Sequence, residues 1–186
     1  MRQSLGGIRG RGSMRHGQSA SRETISTSEP LATYLHDHLA GAVVAINLLE
    51  VLRDRHPGEA LGGFAAELLV EVEADRAVLQ GLAERVGAGS SRLKEAAAWL
   101  SEKVSRLKFR RRAAGGLGTF EALEALALGI LGKLALWRAL AVIALVDVRL
   151  GGVDFDHLAA RAQAQHAQVE ERRLEAARTV LRAAQE

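Results

Sequence analysis

Charged and histidine side chains stand at matching depths along the apolar, helix-patterned stretches of this chain. Asn47 and Glu50 lie midway along the first stretch, Glu71 and Asp75 along the second, Lys133 along the fourth, and His166 and Glu170 along the fifth. Carboxylates and an imidazole converging from several helices can hold a metal pair or work as general acid and base. The residues available for such a site are Glu50, Glu71, Asp75, Glu121, Glu124 and His166. A lysine at that depth points the other way: its ammonium neutralises a buried carboxylate that a cation would otherwise hold, and repels the cation. The expectation is that Lys133 forms a buried ion pair with Asp75 or Glu71, in place of metal and with no cofactor. A plainer arrangement, with Glu71 and Lys133 on solvated flanks, stands beside it, but Asp75 interrupts an apolar seam.

The remaining constellations have ordinary explanations. In His36-Asp37-His38, positions two apart on a helix diverge by about 200°, so both rings cannot face one ion; a capping or inter-helix hydrogen bond is expected. His166 and Glu170 are an i, i+4 pair on a polar face, read as a surface contact. Glu121 and Glu124 sit near the start of a helix, where its macrodipole favours anions. Gly129 and Gly132 stand in an apolar helix interior at a cost of about 1 kcal/mol each against alanine, which close approach of a neighbouring helix would explain. Gly132-Lys133 is followed by Leu134 and preceded by no strand, so it is not a phosphate loop.

The elements that position these residues are marked by glycine and proline. Breaks fall at Pro57-Gly58, at Gly87 to Ser91, at Gly115 to Gly118 and at Gly151-Gly152. Between them Ala, Leu, Glu, Arg and Val dominate without period-two alternation, which makes the class all-α. Helices are expected over about 31–55, 59–86, 91–110, 119–150 and 154–184. Their inward stripes include Leu35, Leu39, Leu49 and Leu52; Ala65, Leu68, Val72, Leu79 and Leu82; and Leu158, Ala162 and Val169. Thr119 and Asp154 are the expected caps of the last two. Short joints make the first and last pairs antiparallel hairpins. The long gap after residue 86 lets the second and fourth segments run parallel, with 91–110 as a crossover helix whose stripe (Leu93, Ala97, Leu100, Val104, Leu107) covers the outer face of 119–150.

The chain has 186 residues, 48% hydrophobic and 25% charged, with no cysteine, so disulfides and thiolate metal sites are excluded. Its net charge of +3 is uneven. Residues 1–28 hold five arginines against Glu23, leaving 29–186 with about −1. This Gly-, Ser- and Arg-rich stretch reads as a disordered basic arm ahead of a helical bundle over 29–186, without the apolar core of a secretory signal. Met14 leaves open a later start of translation. A second basic cluster, Arg106, Lys108, Arg110, Arg111 and Arg112, could touch phosphates or anionic lipid, but with Phe109 alone for stacking it reads as a solvated helix end. Residues 125–146 are long enough to span a bilayer, yet Lys133 and Arg138 would each cost about 2.5–3.5 kcal/mol there, so no transmembrane segment is expected.

The pattern of two hairpins joined by one long crossover resembles the ferritin-like fold. The strings Tyr34-Leu35-His36-Asp37-His38-Leu39-Ala40-Gly41, Lys94-Glu95-Ala96-Ala97-Ala98-Trp99 and Gly132-Lys133-Leu134-Ala135-Leu136-Trp137-Arg138 are similar to a group of bacterial ferritin-like proteins of about this size. The resemblance covers roughly residues 31–184 and brings no established activity. Di-iron members of the fold use Glu-x-x-His pairs on two helices, and no Glu in this chain has a His three residues later. The nearest echoes are Asp154-x-x-His157 at a helix start and His56-x-x-Glu59 in a loop. A cytoplasmic, non-catalytic bundle acting as a structural or interaction module is therefore expected, with a homo-oligomer or protein partner and no nucleic acid. A divergent di-metal carboxylate protein is the alternative, and a nucleic-acid or lipid-surface binder using Arg106 to Arg112 a third reading.

Overall fold

Apolar residues recurring at three- and four-residue steps fold, in the computed structural model, into four long helices: α1 (Glu29–Arg55), α2 (Ala60–Val86), α3 (Gly116–Ile143) and α4 (Phe155–Val180). A 3₁₀ turn, Val148–Leu150, lies between α3 and α4. The structure describes residues 29–87 and 115–182, and no strand occurs among them. The arm at 1–28, the crossover segment 91–110 and the basic cluster Arg106, Lys108, Arg110, Arg111 and Arg112 lie outside the described residues.

Local chemistry sets the helix ends. Gly87, at φ +84°, closes α2 in the left-handed conformation that glycine adopts without a Cβ penalty. Asp154 caps α4, its Oδ1 accepting from the backbone N–H of His157 at 2.9 Å. The helix expected over 119–150 is displaced at both ends. It starts at Gly116, directly after Gly115 at φ +110°, so Thr119 lies inside the helix and is not its cap. It stops at Ile143 because Asp147 takes over the local hydrogen bonding: its Oδ1 accepts from the backbone N–H of Arg149 at 3.0 Å and from that guanidinium at 2.9 Å. These bonds hold the Asp147 carboxyl down to a pKa of about 2. They also fold the 3₁₀ turn that sends Leu150 into the core.

Contacts at the ends give the helix directions. His56, in the joint after α1, meets Thr119 in the first turn of α3: Nδ1 lies 3.0 Å from Glu59 Oε2 and Nε2 3.1 Å from Thr119 Oγ1. With Nδ1 donating to the carboxylate, Nε2 of a neutral ring accepts from the hydroxyl. At the other end, Arg85 Nη1 donates to Gly151 O at 2.9 Å, and Arg149 Nη1 to Val86 O at 3.5 Å. Helices α2 and α3 thus finish together and run parallel, while α1 and α4 run against them. Within each hairpin the helices pack closely, and α1 lies along α3. By contrast α2 and α4 meet mainly through long side chains, in the pairings Phe64–Arg172, Glu71–Gln165 and Asp75–Arg161. As one number rises the other falls by the same steps, which fixes a single antiparallel register.

The core is built on Leu35, Leu49 and Leu52 of α1, Leu68, Leu79 and Leu82 of α2, Leu126, Ile130, Trp137 and Leu140 of α3, and Leu158 and Val169 of α4. Each such side chain contributes about 1.5–3 kcal/mol when fully buried. Helix α3, apolar all round, buries one side and leaves Leu128 and Val142 64% and 66% exposed on the other. Gly129 and Gly132 of that helix do not make room for a neighbour among the described residues, since a Cβ at either would meet nothing within 4 Å, whereas one at Gly116 would fall 2.6 Å from a Val180 methyl of α4. Gly62 is tighter still, since a Cβ there would fall 2.0 Å from the carbonyl oxygen of His56.

Two adjacent glycines therefore respond oppositely to the same change. Gly62→Ala forces the joint off its position and lowers stability by about 1–3 kcal/mol. Gly63→Ala, with open space around its Cβ, raises stability by up to about 1 kcal/mol. Urea unfolding followed by circular dichroism reads both.

Candidate functional site

The inward stripe of α2 steps through Leu68, Val72, Asp75, Leu79 and Leu82, and all five are buried. An ionised carboxylate in such a stripe needs charge and hydrogen-bond partners, because its desolvation otherwise costs several kcal/mol. Asp75, only 2% exposed, has them on both oxygens. Lys133 Nζ donates to Oδ2 at 2.5 Å, and Arg161 Nη2 donates to Oδ1. Lys133 Nζ also donates to Gln165 Oε1 at 2.5 Å, and Gln165 Nε2 donates to Glu71 Oε2 at 2.7 Å. The result is one chain of contacts, Glu71, Gln165, Lys133, Asp75 and Arg161, with two acids balancing two bases.

Helix α3 brings Lys133 from one side and α4 brings Arg161 and Gln165 from the other, one turn apart. Burial pushes the Lys133 ammonium below the ordinary lysine value, Asp75 pulls it back up, and the neighbouring Arg161 adds to the depression. Protons of this ammonium go to Asp75 and to Gln165, so the nitrogen serves as a fixed cation and not as a free nucleophile. Both Asp75 oxygens accept from cationic donors, which already balance its charge, so a metal ion would have to displace or be repelled by two cations.

Glu71 corrects a sequence expectation. It is an exposed residue, because it precedes the stripe residue Val72 by one position and is rotated about 100° toward the rim. Only its carboxylate reaches back, to Gln165. Among the other metal candidates, Glu50 lies on a half-buried flank of α1. Glu121 and Glu124 precede Lys133 by twelve and nine residues on α3, roughly 18 and 14 Å along the axis. Glu124 meets Arg173 at 3.4 Å, and Arg173 is held by Glu170 through two 2.7 Å contacts. That guanidinium holds the Glu170 carboxyl below its usual range, with His166 adding a smaller pull. Among the described residues no three His, Asp or Glu side chains gather as a metal set would require.

The histidine pair is also placed otherwise than expected. His36 is buried, and neither ring nitrogen has a hydrogen-bond partner among the described residues. His38 stacks edge-on against Tyr34, ring centroids 4.7 Å apart, and burial lowers its pKa. The two loop echoes are structural: His56 joins the hairpins, and Asp154 caps a helix.

Arg161 and Gln165 escaped the sequence reading because α4 looks polar throughout. A signal existed, since Gln165 falls on the inward steps Leu158, Ala162, Gln165, Val169. Comparison with protein-family models, with curated proteins and with solved structures finds no match to this chain.

The buried and rim acids separate cleanly on substitution. Asp75→Ala strands two cations and costs about 3–5 kcal/mol of stability. Glu71→Ala, at the exposed end of the chain of contacts, costs roughly 0–1 kcal/mol. Equilibrium denaturation of the two variants checks the order.

Proposed function

We propose that this chain is a ferritin-like helical bundle without a catalytic metal, working as a structural or interaction module in the bacterial cytoplasm. The parallel course of α2 and α3, flanked by two antiparallel hairpins, supports that fold, because only a long connection such as residues 88–114 can join two helices that finish at the same end. The observation that carries the functional reading is the pairing of Asp75, the one buried carboxylate among the described residues, with two cations, Lys133 and Arg161. In a di-metal carboxylate protein the inward acids at that depth would be held for the metal ions.

By length and composition alone, the stretch Pro30–Arg55 and α3 are each long and apolar enough to cross a membrane. The charges of α3 support the soluble alternative. Lys133 is spent on Asp75 of α2, while Glu124 and Arg138 are exposed, where a lipid-facing arginine at the bilayer centre would cost about 2.5–3.5 kcal/mol.

Elemental analysis of protein produced with iron and manganese in the medium is the test. No more than trace metal is expected. One or two equivalents per chain, retained through dialysis, would contradict the proposal.

A further inference from the structure

The outward side of α3 carries a regular seam that nothing among the described residues covers. Leu117, Glu124, Leu131 and Arg138 recur every seven residues, with Leu128 and Val142 four residues after Glu124 and Arg138 at the alternating step of a coiled-coil face, and all six are exposed. Gly132 borders this seam with open space at its Cβ position. No neighbour among the described residues uses the space it leaves, while it permits close approach of another helix from outside.

Charge on the seam selects the occupant. Glu124 lies seven residues before Leu131 and Arg138 seven after it, and Arg138 makes no hydrogen bond or ion pair among the described residues. A two-fold axis through Leu131 lays α3 antiparallel on the α3 of a second copy. Each Glu124 then stands opposite the other copy's Arg138, and the leucines meet at the axis. Parallel pairing would set Arg138 against Arg138 and Glu124 against Glu124, which like-charge repulsion disfavours. A bilayer would have to take up Arg138 unpaired, whereas Glu124 keeps its 3.4 Å contact with Arg173.

We infer that the outer face of α3 is the interface of a symmetric homodimer, antiparallel and centred on Leu131. The inference rests on reading the chain as an interaction module and supplies the surface and the partner that the reading lacks.

The chain has no cysteine, so single thiols can be placed in the full-length protein without other changes. Under mild oxidation Leu131→Cys is expected to form a covalent dimer, because residues on the axis of two closely packed helices come within disulfide reach. Val70→Cys, 67% exposed on α2, is expected to stay monomeric on a denaturing gel. In light scattering, Arg138→Glu weakens the native dimer roughly tenfold or more, and adding Glu124→Arg restores it, with helicity unchanged by circular dichroism.

Several results would overturn the inference. One is a monomer whose Leu131→Cys thiol resists labelling, which would mean that residues 88–114 cover the face. Another is sedimentation of the wild-type chain with phospholipid vesicles, and a third is a dimer insensitive to the charge swap. A metal-free dimer through a different face would remove this interface and leave the proposed module standing, whereas bound metal would remove the module reading itself.

Discussion

A carboxylate in the middle of an apolar stripe constrains everything packed around it. Asp75 occupies a position that the spacing of α2 reserves for a side chain such as leucine, and it can remain ionised there only if cations arrive from neighbouring helices. Lys133 and Arg161 do so from two different helices. The pairing therefore ties the second hairpin to the first at a defined height, and a one-turn slip of either α3 or α4 would strand a charge in the core. Hydrophobic contact is less directional, so the ion pairs sharpen the discrimination that core packing provides.

The same interaction accounts for the unequal spacing of the helices. Where α2 faces α4, the contacts are made by the longest side chains available: Arg172 over the Phe64 ring at 3.6 Å, Gln165 to Glu71, and Arg161 to Asp75. Each spans a gap that an alanine or a leucine would leave open. Close packing is found within the hairpins instead, where small and branched apolar residues face one another. The wide side of the molecule is thus polar and ladder-like, the narrow sides apolar.

Much of this was legible in the residues themselves. All-α class, the four long helices and most inward positions follow from three- and four-residue spacing between glycine and proline breaks, because one strong period was present and no competing one. Asp75 is conspicuous for the same reason, as a charge on a stripe that is otherwise apolar. The limits have physical causes. Gly115 begins α3 three residues early, and Asp147 ends it seven early, through a side-chain bond to Arg149 that periodicity does not encode. Glu71 sits one position off the stripe, and a long side chain blurs the difference between rim and core. Arg161 and Gln165 were hidden by a helix whose polar residues outnumber its apolar ones, although the inward positions Leu158, Ala162 and Val169 pointed at Gln165.

The central claim, that Lys133 and Asp75 stabilise each other inside the fold, is tested most directly by a double-mutant cycle read by urea denaturation. Asp75→Leu and Lys133→Met are each made alone and then together. The account predicts that the double variant is more stable than the sum of the single losses requires, with a coupling between about 0.5 and 3 kcal/mol. Additivity within about 0.3–0.5 kcal/mol, the behaviour of independent sites, would contradict it.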